Sequence, residues 1–352
     1  MTEMATREGA ADESPAAPPQ VSGVRIRRST RSSRLAIAPA LIVLAVLAYL
    51  PFLFAQDTTN TMVNFFILLV LGMTWNVLAG YAGLVSVGQQ AFLGAGAYSV
   101  LWLAQQGMDP LAALPVAAVF CGVVAIPVSW LVFRLRGGYF AIGTWAVAEV
   151  FALVTIRSSA LGGGTGTNLP GLDGYDPVTL GALTYWAALA IAVLTLLGSY
   201  LMLRSRVGLA LTAVRDDDHA AEGVGVRPAG AKRVVYLLAA IGAGAAGGVL
   251  AISQLNVQAD NVYGVQWAAY MIFVVLIGGI GTLEGPIIGT IVFFILQQTL
   301  ASHGAWYLIL VGLVAVVMAL WSPRGLWGIA ERFGVHLFPV GYRVVRPEES
   351  QS

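Results

Sequence analysis

Arg215, Asp216, Asp217, Asp218, His219 and Glu222 fall within eight consecutive positions, with Arg204, Arg206, Arg227 and Lys232 nearby, in a chain that is only 11% charged. Adjacent acids beside one histidine do not amount to a catalytic set. No Ser/His/Asp, Cys/His or metal-ligand cluster accompanies them, and His219, His303 and His336 lie in separate segments. What this run can do is pair charges and hydrogen-bond with a partner in water. Asp218 and Glu222 are spaced i,i+4 and share one helical face. Leu209, Leu211, Val214 and Ala221 give residues 209–225 an apolar face, and Gly223 and Gly225 can end the helix. The pattern predicts one amphipathic helix along a membrane surface, shaped to sit in a partner's groove; plain solvation is the alternative.

The elements that flank this island are apolar. Hydrophobic residues make up 58% of the 352 positions and the mean hydropathy is +0.79, far above the apolar share of a water-soluble domain. Windows of about 20 apolar residues match the hydrocarbon thickness of a bilayer. Without strand alternation they predict helices. The expected class is an all-α polytopic membrane protein with about ten spans, or eight to ten if glycine-interrupted segments re-enter. Spans are expected at 35–54, 62–79, 84–103, 111–133, 141–156, 182–203, 234–253, 268–276, 287–300 and 307–321. With the N-terminus inside, every one of the 19 Lys and Arg except Arg157 falls on the inner face. That distribution obeys the positive-inside rule and places both termini and the charged island in the cytoplasm. The first apolar run is too long for a cleavable signal, and a single cysteine, Cys121, leaves no internal disulfide.

Three intramembrane features stand out. Residues 80–99, GYAGLVSVGQQAFLGAGAYS, combine five glycines with Ser86, Gln89 and Gln90. Such a passage is either a broken helix lining a path or a tight seam glued by Gln hydrogen bonds. Glu149 is the only carboxylate well inside an expected span. Lacking an intramembrane cation, it reads as a buried carboxyl bonded to a neighbouring helix, with ion coupling as the alternative. Residues 278–286, GGIGTLEGP, read as a tight turn holding Glu284. Gly242, Gly244 and Gly247 fit the GxGxxG pattern but sit inside an apolar span, where small-residue packing is the expectation; no P-loop follows the glycines at 162–166.

GYAGLVSVGQQAFLGAGAYS, AVRDDDHAAEGVGV, VVLIGGIGTLEGPIIGT and SPRGLWG occur in this order, and together they resemble the LivM-type permeases of branched-chain amino acid ABC importers. The likeness covers roughly residues 62–328; Gln89-Gln90 and the triplet Asp216–Asp218 depart from the usual pattern. The resemblance implies a subunit of the bacterial plasma membrane that is not itself an enzyme and holds no cofactor or metal. Its partners would be a second related permease in a heterodimer, two cytoplasmic ABC ATPases and an extracytoplasmic substrate-binding protein, with membrane lipid around it and no nucleic acid. Arg215, Asp216, Ala220, Ala221, Glu222 and Gly225 would form the ATPase-coupling segment within a loop at 204–233. Gly83, Ser86, Gly88, Gln89, Gln90, Phe92, Gly94, Gly96 and Tyr98, with Glu149, would pack helices or line the path. The implied layout is a disordered basic tail at 1–34, a permease domain at 35–328 and a cytoplasmic tail at 329–352. Hydrophobic amino acids are the expected solute; urea or short amides, and then an ion-coupled carrier, are the alternatives.

Overall fold

Twenty helical residues rise about 30 Å, the depth of the hydrocarbon core, and the apolar runs of this chain form helices on that scale. The computed structural model describes residues 25–27, 31–54, 56–300, 305–322, 324–331 and 343–345. In chain order its elements are β1 (Arg25–Arg27), α1 (Arg31–Leu53), α2 (Gln56–Asn76), a π-helical turn (Val77–Tyr81), α3 (Gln90–Gln105), α4 (Pro110–Val132) and α5 (Gly138–Arg157). A short 3-10 turn (Ser159–Leu161), β2 (Thr167–Asn168), α6 (Pro177–Arg204), α7 (Arg206–Asp216), α8 (Asp218–Gly223), α9 (Pro228–Gln254) and β3 (Asn256–Val257) follow. The chain continues through α10 (Ala259–Val262), α11 (Gln266–Gly278), α12 (Gly285–Leu300), α13 (Ala305–Trp321), α14 (Gly325–Glu331) and β4 (Arg343–Val345).

The protein is all-α and polytopic. Six stretches are long and apolar enough to cross a membrane alone: Gln56–Tyr81, Pro110–Val132, Gly138–Arg157, Pro177–Arg204, Pro228–Gln254 and Ala259–Gly278. The bent pair of α13 and α14 makes a seventh if counted as one span. All ten expected segments contain helix, but several are shorter than full crossings. The apolar parts of α1 and α12 cover Ala38–Leu53 and Gly285–Leu300. The third expected span starts late, because residues 83–89 are not helical and α3 has 16 residues. The eighth is longer than the sequence suggested, since α10 leads into α11. The expected tail at 1–34 lies outside the described residues except for β1 and the start of α1. After residue 328 only the end of α14 and β4 are described. β1 and β4 pair antiparallel, with Arg25 opposite Val345 and Arg27 opposite Arg343.

Local chemistry sets the helix starts. Asp109 accepts hydrogen bonds from the Leu111 and Ala112 N–H groups with Pro110 in the first turn, and Asp176 with Pro177 starts α6 in the same way. α2 and α9 form the core: 83% of each apolar window is buried, against 22% for α5. α2 packs on α6, α9, α11 and α12, while α9 packs on α3 and α4. The α3–α9 seam needs glycine. A Cβ at Gly96 would strike the Gly244 carbonyl, and one at Gly247 would strike the Leu93 carbonyl. Gly244 and Gly247 of the GxGxxG pattern therefore serve backbone approach, while Gly242 packs on the Thr74 side chain. At the other end of the bundle, β2 pairs with β3, and Leu169 N–H donates to the Leu255 carbonyl at 2.9 Å. This ties down the glycine-rich loop after α5.

Candidate coupling site

The charged island folds as two helices, not the single one its sequence pattern suggests. Ser205 caps α7 by accepting from the Val207 N–H at 3.1 Å. The break falls at Asp217, whose backbone is extended. Its carboxylate accepts from the His219 and Ala220 N–H groups at 2.8 and 3.1 Å, which starts α8. Those two N–H donors, Ala220 first, hold the Asp217 carboxyl below the usual carboxylate range. Asp218 then pairs with Lys232 at the start of α9, Nζ to Oδ2 at 2.7 Å. α8 ends at Gly223, and Gly225 follows with φ +84°.

Buried Leu211, Val214 and Ala221 seat this unit on the bundle, while Asp216, His219, Ala220, Glu222, Val224 and Gly225 are exposed. The expected coupling residues thus divide by direction. Asp216, Ala220, Glu222 and Gly225 face outward, whereas Ala221 packs inward. Arg215 is half-exposed, lies 3.5 Å from Asp216, and turns its guanidinium back to the bundle. There its Nη1 donates to the Gly80 carbonyl at 3.0 Å.

Gly80 belongs to the π-helical turn that ends α2, a local widening that often marks functional positions. Its backbone lies against Gly281 in the α11–α12 turn; a Cβ on Gly80 would sit 2.7 Å from Gly281 Cα. Asn76, fully buried, holds that turn with both ends of its amide. Oδ1 accepts from the Gly281 N–H at 2.8 Å, and Nδ2 donates to the Thr282 carbonyl at 2.7 Å. Thr282 Oγ1 donates to the Gly279 carbonyl and accepts from the Gly285 N–H, each at 3.0 Å. The start of α14 closes the other side, since Gly325 packs directly on Gly279. Tyr81 lies within electrostatic reach of Glu284, Arg215 and Glu331. Four separated sequence motifs therefore meet around Arg215.

The glycine-rich segment before and within α3 resolves mostly as a seam. Gly83 takes φ +67° beside the Arg215 side chain. The Ser86 carbonyl accepts from Trp75 Nε1 at 2.7 Å, and Ser86 Oγ accepts from the Gly88 N–H at 3.3 Å. Gly88 lies on the Thr144 backbone, Gly94 on the Tyr263 ring and Gly96 on Gly244. Phe92 meets Tyr236 edge-on at 5.6 Å, and Tyr98 stacks on Tyr263 at 6.0 Å. The Gln hydrogen bonds of the second alternative are absent among the described residues. Gln89 and Gln90 are buried, yet neither amide has a hydrogen-bond partner among the described residues.

Glu149 also departs from expectation. It is exposed on the outer surface of α5, and its carboxylate accepts from Trp145 Nε1 of the same helix at 3.0 Å, not from a neighbouring helix. Asn76 escaped the sequence reading altogether. A lone Asn inside an apolar span is the available signal, because a side-chain amide in lipid needs a partner. Among the described residues no group of three or more His, Cys, Asp or Glu could hold a metal ion.

Residues 58–319 match the family model described as branched-chain amino acid transport system / permease component. The chain is 27% identical over 315 residues to the high-affinity branched-chain amino acid transport system permease protein LivM of Escherichia coli (strain K12), covering 82% of this chain and 73% of that one. Its identity to the protein of the same description from Salmonella typhimurium is 26%, with the same coverage. No solved structure matches it.

Proposed function

The chain belongs to the branched-chain amino acid permease family, and we propose that it is the membrane-spanning subunit of an ATP-driven importer for branched-chain or other hydrophobic amino acids. It is a transport permease and not an enzyme in its own right. The proposed setting is the bacterial plasma membrane with the island in the cytoplasm. A second related permease, two cytoplasmic ATPases and an extracytoplasmic binding protein would complete the transporter.

The observation that carries this reading is the Arg215 junction. The outer side of α7–α8 offers Asp216, His219, Ala220, Glu222 and Val224 to a partner. The inner side is fastened through Arg215 to the end of α2, which Asn76 fastens in turn to the α11–α12 turn. A push on the exposed surface would therefore reach α2 and α12 through direct bonds. Helix–turn elements of this kind move as rigid pieces between discrete arrangements. The solute would pass along a mostly apolar route, with Gln89 and Gln90 as its polar groups.

The test is uptake of labelled leucine by vesicles holding the assembled transporter, with valine and urea as separate competitors. ATP dependence, insensitivity to an uncoupler and loss of uptake on Glu222→Lys are expected. Uptake that runs on an ion gradient and ignores Glu222→Lys would overturn the importer reading. Competition by urea but not by valine would move the solute to short amides.

A further inference from the structure

α5 is the least covered of the six long spans: 22% of its apolar window is buried within the chain, against 39% for α4 and α6. Lipid alone would suit its exposed Ile142, Val150, Leu153 and Val154. It would not suit Glu149, which sits at the centre of that face. Glu149 lies eleven residues into a helix of 20, about 17 Å from its start and hence near mid-membrane. Its carboxylate accepts from Trp145 Nε1 one turn back, and among the described residues no cation pairs with it. A carboxylate can accept about four hydrogen bonds, and hydrocarbon supplies none. Ionisable groups at this depth face protein or water.

We propose that the outer face of α5 around Trp145 and Glu149 is covered by the second membrane-spanning subunit of the transporter, which presents a hydrogen-bond donor to the Glu149 carboxylate. A second copy of this chain is a poor occupant. A two-fold interface sets the same patch against itself, so at its axis Glu149 would meet Glu149, a like-charge pair that bonds only by keeping a proton. A different subunit carrying an amide, hydroxyl or cationic side chain fits. Naming that subunit a permease rests on the importer reading; the location of the face does not.

The test uses the complete transporter in membranes, with photoreactive p-benzoylphenylalanine replacing Ala146 or Leu153 on this face. Val316, on the exposed side of α13, is replaced as the control. Adducts to the second membrane subunit from positions 146 and 153, and none from 316, are expected. Adducts to lipid alone, to another copy of this chain, or equally from position 316 would overturn the proposal. Adding Glu149→Leu should cut the adduct yield about tenfold, as loss of a buried bond implies, while Glu149→Gln, which keeps an acceptor oxygen, should leave most of it. An undiminished yield with Glu149→Leu would remove the donor from the proposal. Uptake measured on the same membranes judges the importer reading separately, since adducts form whatever drives transport.

Discussion

Arg215 and Gly80 stand 135 positions apart in the chain and are joined by a hydrogen bond from Nη1 to the carbonyl oxygen at 3.0 Å. The last carbonyls of a helix lack intrahelical donors and carry the negative end of its dipole. A guanidinium meets both needs. Because the same side chain belongs to α7, the end of a core span and an exposed helix share one contact. Arg215→Ala should lower uptake about tenfold, the factor set by loss of a charge-assisted bond worth roughly 1.5–3 kcal/mol less solvent screening. The amount of protein in the membrane should hold. Arg215→Lys should recover only part, since lysine lacks the planar fork. Uptake at the wild-type level in both variants would show that the junction does not transmit movement.

Asn76→Leu keeps the volume and leaves the Gly281 N–H and the Thr282 carbonyl without their partner. Each orphaned buried group costs about 1–3 kcal/mol, so a clear fall in Tm in detergent is expected. Asn76→Asp should fare better for Gly281, whose acceptor survives, and worse for Thr282, whose donor is lost. An unchanged Tm for Asn76→Leu would mean that Thr282 alone suffices to hold the turn.

Gln89 and Gln90 give a prediction in which stability and activity move apart. A buried amide without a partner is costly, by about 1–3 kcal/mol on mutational scales. Gln89→Leu and Gln90→Leu should therefore each raise Tm. If the amides serve the solute, uptake falls in the same variants, the usual trade at a functional site. A raised Tm with undiminished uptake would assign them no part in transport.

Gly96→Ala tests the α3–α9 seam. The new methyl group would press on the Gly244 carbonyl, and backbone gives way less readily than a side chain. Overpacking of this kind costs about 1–3 kcal/mol or more, read as loss of folded protein on size-exclusion chromatography. Gly138→Ala, at a position with open space around it, is the matched control and should express normally.

Asp109 supplies a pH test on a group outside the spans. The Tyr175 hydroxyl donates to Oδ2 at 2.6 Å, and that bond, with the Leu111 and Ala112 N–H groups, holds the carboxyl below the usual range. A depressed folded-state value stabilises the protein above the unfolded value of about 3.9. That contribution fades as pH falls through the folded value. Tyr175→Phe should lower stability at neutral pH and flatten its decline below about pH 4. Parallel acid-unfolding curves for the two proteins would rule the Tyr175 bond out as the cause.

The sequence shows its spans because twenty apolar residues have few other uses, and it shows the island because charge is scarce. The close packing of the α9 glycines was foreseeable too: Gly242, Gly244 and Gly247 had no strand before them and no acid after. The break at Asp217 was legible in principle, since Asp is a strong helix cap, but it was masked by two flanking acids of the same type. Asn76 was legible only as a lone amide in an apolar span, not by what it holds. Its partners, Gly281 and Thr282, lie more than 200 positions away, and periodicity says nothing about pairings at that distance. The outward turn of Glu149 was equally hidden, because α5 is apolar on every side and offers no pattern that distinguishes the core face from the outer one.

The burial of α2 has a consequence for how the protein is made. α2 enters the bilayer early, but the helices that enclose it include α6, α9, α11 and α12. At about 5–20 residues per second, roughly ten to forty-five seconds separate the synthesis of α2 from that of α12. During that interval its Asn76 has no turn to hold. Biogenesis therefore cannot proceed helix by helix into finished pieces. The bundle is completed from its centre only when the last third of the chain arrives.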